Sequence, residues 1–377
     1  MRRFLAAIAG AIVLYSNPAL AEIVVGVNLP LSGPAAGLGL SVQRGLEFAP
    51  KEIGGEPVRY IVLDDGSDPS AAVRNVRKLA TESNVDVIVG PGSAPAGYAT
   101  APVVTEPMVP MISVTPIELK GEKARWFANV LGNNEAWAGA VIADMKRKGV
   151  KRVAYIGYSD TWGDIVYDNI TRLAAKERIE IISDERYARS DTSVSGQILK
   201  MIAMDPDAVM VGASASPAAL PNTSLIERNF TKPIYNTDAV IGPDFLRLLG
   251  DVPDNVLAAS YLALALPMLP DDNPVKIEGL PVVAAFEAKF GAGSLDGQAS
   301  GGIDAGIILR DIATRALATT KPSTQEFRNA LRSELYNTKN LIGTRGIYNF
   351  SEGNPYGLDE RSIIMLRISD GKWVLAN

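Results

Sequence analysis

The sequence predicts an α/β protein of two lobes, each an open, mostly parallel sheet with helices on both faces. Three observations predict it. Short β-branched runs alternate with segments of helical period along most of the 377 residues, as in right-handed strand–helix–strand units. The strands read as continuous apolar runs, so both of their faces are buried. They also exceed what a single sheet of this type holds comfortably, and domains usually run about 100–200 residues.

The elements follow in order. Residues 1–21 stand apart: Arg2 and Arg3, an apolar run over 4–15 and the end Ala19-Leu20-Ala21 describe a secretory signal peptide. The run is shorter than the about 20 residues a membrane span needs, and Pro18 would break a helix. Cleavage is expected after Ala21, and with no Cys nearby the chain is not a lipoprotein. Residues 23–27 form a β-branched strand ending in the loop 30–39. A helix over 41–49 places Val42, Leu46 and Ala49 on one face and stops before Pro50. Strand 58–63 is closed by Asp64-Asp65-Gly66. Asp68-Pro69-Ser70 opens a helix with Pro in its first turn, and strand 85–89 runs into Gly90-Pro91-Gly92-Ser93.

The alternation continues with helix 96–106 and strand 109–113, helix 135–148 and strand 152–158, and helix 162–176 and strand 179–182. Helix 194–203 leads to strand 208–212, and helix 217–228 to strand 233–236. The most apolar stretch, 256–268, is interrupted by Pro267 and reads as a buried strand entering a linker. After the turn-rich 269–274 come helices over 282–290 and 298–318. Strand-like segments at 346–350, 362–368 and 373–375 close the chain, the last two joined by Asp370-Gly371, a hairpin signal.

Composition then narrows function. Hydrophobic residues make up 47% and charged ones 21%, ordinary for a folded protein; the unusual counts are zero Cys and zero His. Ser–His–Asp triads, Cys–His dyads, Cys/His zinc sites, His- or Cys-ligated haem and disulfides are impossible. The net charge of −5 becomes more acidic once Arg2 and Arg3 are removed, which argues against a nucleic-acid partner.

The motifs point to binding. Gly90-Pro91-Gly92-Ser93-Ala94-Pro95 offers G-x-G without a third Gly, and no Walker-type G-x-x-x-x-G-K-[ST] occurs, so no nucleotide cofactor is expected. This loop after a strand and before a helix is instead a natural seat for a carboxylate. Ser93 either caps the helix, binds a ligand, or does both. Ser369-Asp370-Gly371-Lys372 fits S-x-x-K but lies in the hairpin turn. Asp64-Asp65 and Asp271-Asp272 lie in turns, where Asp is common. Polar clusters gather at strand ends, where open α/β sheets bind ligands: Ser93, Ser113 with Thr115, Asn236-Thr237-Asp238, and the run from Tyr158 to Gly163.

In order and spacing, a set of segments resembles the periplasmic solute-binding proteins of branched-chain amino-acid ABC transporters, the leucine/isoleucine/valine-binding type. They are Gly26-Val27-Asn28-Leu29-Pro30-Leu31-Ser32-Gly33-Pro34, the DVIVGP of 86–91, Val109-Pro110-Met111-Ile112-Ser113, Asp160-Thr161-Trp162-Gly163, Pro233-Ile234-Tyr235 and Gly302-Ile303-Asp304-Ala305. The resemblance implies a type I periplasmic-binding-protein fold, two Rossmann-like lobes joined by a three-crossing hinge. Lobe one is expected at 22–137 plus 266–346, and lobe two at 138–265 plus 347–377. It implies a monomeric, non-enzymatic periplasmic receptor without a cofactor, which closes on a small-molecule ligand and delivers it to an ABC permease in the inner membrane. The alternative is a sensor of the same fold that presents its solute to a signalling receptor.

Carried over position by position, the resemblance places the ammonium holder at Asp238 and an aromatic wall at Trp162. Elsewhere the chain departs from the family's pattern. Leu38 stands for an aromatic, Ala94 for the carboxylate-gripping serine (Ser93 is one place off) and Ile117 for a threonine, with Thr115 two places earlier. Ser214 or Ala215 stands for a further aromatic. A desolvated carboxylate without hydrogen bonds costs several kcal/mol. Either Ser93 and Thr115 take over the grip, or the ligand is not a plain α-amino acid. The smaller side chains imply a larger pocket, and Asp238 favours a ligand end that is cationic or carries an N–H or O–H donor.

Overall fold

Burial of continuous apolar strands organises the molecule into two sheets. In the computed structural model, residues 22–119, 121–250 and 254–376 are described; the expected signal peptide and its cleavage site lie outside them. In chain order the strands are β1 (Ile23–Leu29), β2 (Glu52–Ile53), β3 (Glu56–Asp64), β4 (Val87–Val89), β5 (Met111–Ser113) and β6 (Phe127–Gly132). Next come β7 (Arg152–Tyr158), β8 (Glu180–Tyr187), β9 (Ala208–Gly212), β10 (Ile234–Asn236) and β11 (Val256–Tyr261). A small ribbon follows, β12 (Leu341–Ile342) and β13 (Ile347–Tyr348), then β14 (Tyr356–Leu358), β15 (Ile363–Ser369) and β16 (Lys372–Leu375).

The first sheet has the order β14-β6-β5-β4-β1-β3-β2 and the second β16-β15-β11-β10-β9-β7-β8. Inner strands pair in parallel, and the β15–β16 hairpin turns at Asp370-Gly371 as expected. β1, β4, β5, β6 and β9 are buried at every position, as the sequence pattern requires for the middle of a two-faced sheet. β6 was not foreseen because Asn129 interrupts its apolar run. The Asn129 side chain is satisfied locally: its amide donates to the Thr115 carbonyl (2.8 Å) and its oxygen accepts from Leu131 N–H (3.0 Å).

The first lobe is locked by two helices far apart in sequence, Ala36–Leu46 and Gly297–Ala316. The expected helix at 41–49 runs instead from Ala36 to Leu46, through Gly37 and Gly39, and its glycines include two that serve close packing: a Cβ on Gly39 would lie 2.1 Å from the Pro30 carbonyl oxygen. A Cβ on Gly45 would lie 2.0 Å from the Ala299 carbonyl oxygen, and one on Gly302 would lie 2.3 Å from that of Val42. The backbones of the two helices therefore touch, and neither position accepts a side chain without a shift.

The chain passes between lobes three times: from β6 to β7 through helix Asn134–Arg147, at the end of β11, and between β14 and β15. The third passage corrects the expected boundary at 346/347. β14 pairs in parallel with β6 of the first sheet, so the segment up to Leu358 belongs to lobe one. The cause is apolar packing: Tyr348 stacks on Phe350 at 5.9 Å within the first lobe's core, and Gly357 lies against both rings.

Gly302→Ala is expected to lower stability by about 1–3 kcal/mol through overpacking. Gly139→Ala, in a helix with open space beside it, should stabilise by up to about 1 kcal/mol. Urea unfolding midpoints that move in the same direction for both would refute the interlock.

Candidate functional site

The polar strand ends divide between the lobes: Ser93 and Thr115 follow strands of the first sheet, Asp160, Trp162 and Asp238 follow strands of the second. On the first lobe, Ser93 occupies the N-cap of the short helix Ala94–Thr100, yet its hydroxyl makes no capping bond. Of the two roles open to Ser93, capping is therefore not the one it plays here. Thr115 and Ile117 pack against the same helix at Gly97. The Thr115 carbonyl accepts from Asn129 and from Ile117 N–H. Among the described residues, neither the Ser93 nor the Thr115 hydroxyl has a protein hydrogen bond. Ser93, Ala94, Thr115 and Ile117 thus form one wall, with all four buried.

The second wall is built around Asp160. This residue caps helix Thr161–Lys176, accepting from Trp162 N–H (2.9 Å) and Gly163 N–H (3.3 Å). Its other oxygen pairs with Arg189 Nε at 2.6 Å. Arg189 also donates to Ser214 Oγ (3.0 Å) and lies 4.0 Å above the Tyr158 ring. Ser214 therefore makes no open space where the family carries an aromatic: the Arg189 guanidinium occupies that side. Trp162 is 3% exposed and tilts against Trp137 at 6.2 Å, and its indole N–H has no partner. Trp162, Ala94 and Ile117 belong to one apolar cluster that includes residues of both lobes.

The third part lies at the hinge. Asp238 is 6% exposed, and its Oδ1 has no hydrogen-bond partner. Burial pushes its carboxyl up to about 6 despite the opposing pull of Arg345. Arg345 is 1% exposed and stacks 3.9 Å above the Tyr261 ring, and its Nε is also unpartnered. Gly301 leaves room for this guanidinium: a Cβ there would lie 2.7 Å from an Arg345 nitrogen. The Arg345 loop is held by buried Asp304, which accepts from Thr344 N–H (2.7 Å), the Thr344 hydroxyl (2.8 Å), Arg345 N–H (3.0 Å) and the Tyr348 hydroxyl (2.7 Å). Tyr261 in turn accepts from Gly132 N–H (3.1 Å), which ties the second crossing to the first.

The lobes meet beside this hinge, where Gly297 N–H donates to the Ile241 carbonyl at 3.2 Å. A cavity of about 60 Å³ lies there between Leu38, Ala215, Ile241 and Asp296. Of the predicted positions, Leu38 borders it, as does Ala215, the stated alternative to Ser214. Ala215 adopts φ 55°, a left-handed conformation unusual for Ala. Sequence reasoning missed Arg345, Tyr261 and Arg189. The one local sign of Arg345 is its place between Gly343-Thr344 and Gly346, as the only charge from Leu341 to Tyr348.

The profile of a family described as periplasmic binding protein matches residues 22–354. The structure of an extracellular ligand-binding receptor from Rhodopseudomonas palustris HaA2 is 40% identical, covering 94% of this chain and 100% of that one, with a TM-score of 0.91. A Brucella abortus protein named Leu/Ile/Val-binding protein homolog 1 is 33% identical over 86 residues, which span 21% of this chain and 23% of its own length. An ABC transporter solute-binding protein from R. palustris in complex with benzoate shares the fold at 20% identity, with a TM-score of 0.79 and 94% and 95% of the two chains covered.

A buried acid whose folded pKa lies above its unfolded one binds more protons when native, so stability falls as pH rises between the two values. For Asp238 that window is about pH 4 to 6. Thermal melts across it should show wild type losing stability relative to Asp238→Asn, with the difference changing little above pH 7. Parallel curves would refute a buried, ionising Asp238.

Proposed function

Since this chain belongs to the periplasmic binding protein family, we propose that it is the periplasmic solute receptor of an ABC importer. It captures a small amino-acid-like or aromatic organic acid by closure of its lobes, and the inner-membrane permease reads the closed form. The signal peptide of residues 1–21 exports it, and it acts as a monomer, by binding and not by turnover. The observation that carries this reading is the set of buried, unpartnered polar atoms at the cleft: Asp238 Oδ1, Trp162 Nε1 and Arg345 Nε. Buried polar atoms without partners are costly; others occur elsewhere in the molecule, but Asp238 and Arg345 are two such side chains of opposite charge within electrostatic reach of each other at the hinge.

The roles divide by chemistry. The free hydroxyls of Ser93 and Thr115 receive the ligand carboxylate on the first lobe, and Trp162, against Ala94, Ile117 and Leu38, covers its apolar body. Asp238 accepts a hydrogen bond from the far end. The names of similar proteins span both ligand chemistries, Leu/Ile/Val in one and benzoate in another.

Mass spectrometry of what purified protein releases on denaturation, followed by thermal shifts with leucine and benzoate, tests the reading. A stoichiometric organic acid in the extract supports it; turnover of that compound, or an extract and shifts that are blank throughout, would overturn it. Asp238→Ala should weaken binding tenfold or more, because a buried charge-assisted hydrogen bond contributes about 1.5–3 kcal/mol. Calorimetry showing unchanged affinity would remove Asp238 from the site.

A further inference from the structure

Asp238 is not the only charge at the hinge end of the cleft. Arg345 is within its electrostatic reach, yet among the described residues no ion pair joins the two. Both remain buried, and each keeps one polar atom without a partner, Oδ1 on the acid and Nε on the base. The guanidinium cannot swing away freely. Tyr261 covers one face at 3.9 Å, Gly301 lies against a terminal nitrogen, and Asp304 pins the backbone N–H of Arg345 itself. Arg345 is thus a fixed buried cation beside the acid that would hold the ligand's far end.

This arrangement restricts what that end is. An ammonium would satisfy Asp238 but bring a second positive charge next to Arg345 in a site with little water to screen it. A carboxylate would satisfy Arg345 and repel Asp238. With the ligand's acid group engaged at Ser93 and Thr115, one kind of group answers both side chains: an uncharged one that donates a hydrogen bond and accepts another. We propose that Arg345 is a ligand-recognition residue, and that with Asp238 it selects organic acids whose distal end is a hydroxyl or primary amide, against those ending in an ammonium. The O–H or N–H donates to the Asp238 carboxylate, and the oxygen accepts from the Arg345 guanidinium. This rests on the receptor reading and narrows its ligand class.

Calorimetry on the full protein tests it with four probes: benzoate, 4-hydroxybenzoate, 4-(aminomethyl)benzoate and leucine. Wild type should bind 4-hydroxybenzoate at least tenfold more tightly than benzoate, and the aminomethyl compound more weakly than benzoate. Arg345→Gln should cut the hydroxyl preference to under threefold and admit the aminomethyl compound as well as benzoate. Arg345→Lys, which keeps the charge, should still reject the amine. Circular dichroism and a cooperative melt establish that each variant folds; should Arg345→Gln fail to fold, the wild-type order and Arg345→Lys decide. The assignment is overturned if wild type prefers leucine or the aminomethyl compound to 4-hydroxybenzoate, or if folded Arg345→Gln keeps the wild-type order. Silence of all four probes, with no organic acid in the denaturing extract, instead removes the receptor reading, and this inference with it.

Discussion

Asp304, fully buried on helix Gly297–Ala316, accepts hydrogen bonds from two backbone N–H groups and two hydroxyls of the segment Thr344–Tyr348, and the hinge is built outward from this cluster. Burial alone would push its carboxyl up strongly, and the four donors oppose that. Removing one partner of such a network strands the others without water. Through it the Arg345 loop is fixed, Arg345 is laid on Tyr261, and Tyr261 is tied to Gly132 at the first crossing. Two of the three crossings and the hinge end of the cleft therefore share one source of rigidity.

The two walls contrast with this hinge. The first-lobe wall offers hydroxyls with no protein partner, while the second-lobe wall is satisfied at Asp160, Arg189 and Ser214 and leaves only the Trp162 indole N–H open among these residues. A binder that closes by lobe movement benefits from that asymmetry. Groups that are satisfied in any lobe arrangement position the surface, and groups that are unsatisfied until a ligand arrives supply the differential free energy that shifts the population.

Much of the fold was legible because buried parallel strands leave a strong local signal. Arg152–Tyr158 and Ala208–Gly212 were read with their observed limits because every inner position is apolar. Helix Gln325–Asn337 escaped notice since its buried Phe327, Leu331 and Leu335 are set in a charged, exposed face. The start of helix Ala36–Leu46 was misread because Gly37 and Gly39 suggest a loop unless the neighbouring backbone is known. For the candidate site, the sequence offers only single positions that carry a chemical type: Asp238, Trp162 and the strand-end hydroxyls. The site was not legible where function depends on the meeting of distant segments. Arg345 gains meaning only from Tyr261, Gly301 and Asp304, and Ser214 only from Arg189, none of which any local spacing announces.

The helix interlock of the first lobe has a further consequence, for the order in which the molecule can be made. Gly45 needs Ala299 and Gly302 needs Val42, so the partner that completes lobe one is synthesised after every parallel strand of lobe two. The second sheet in turn waits for β15 and β16 at the chain's end. Neither half can finish folding while much of the chain is still on the ribosome, and contacts of such long sequence separation form slowly. The nascent chain therefore stays incomplete, and open to chaperones, until β15 and β16 have been made.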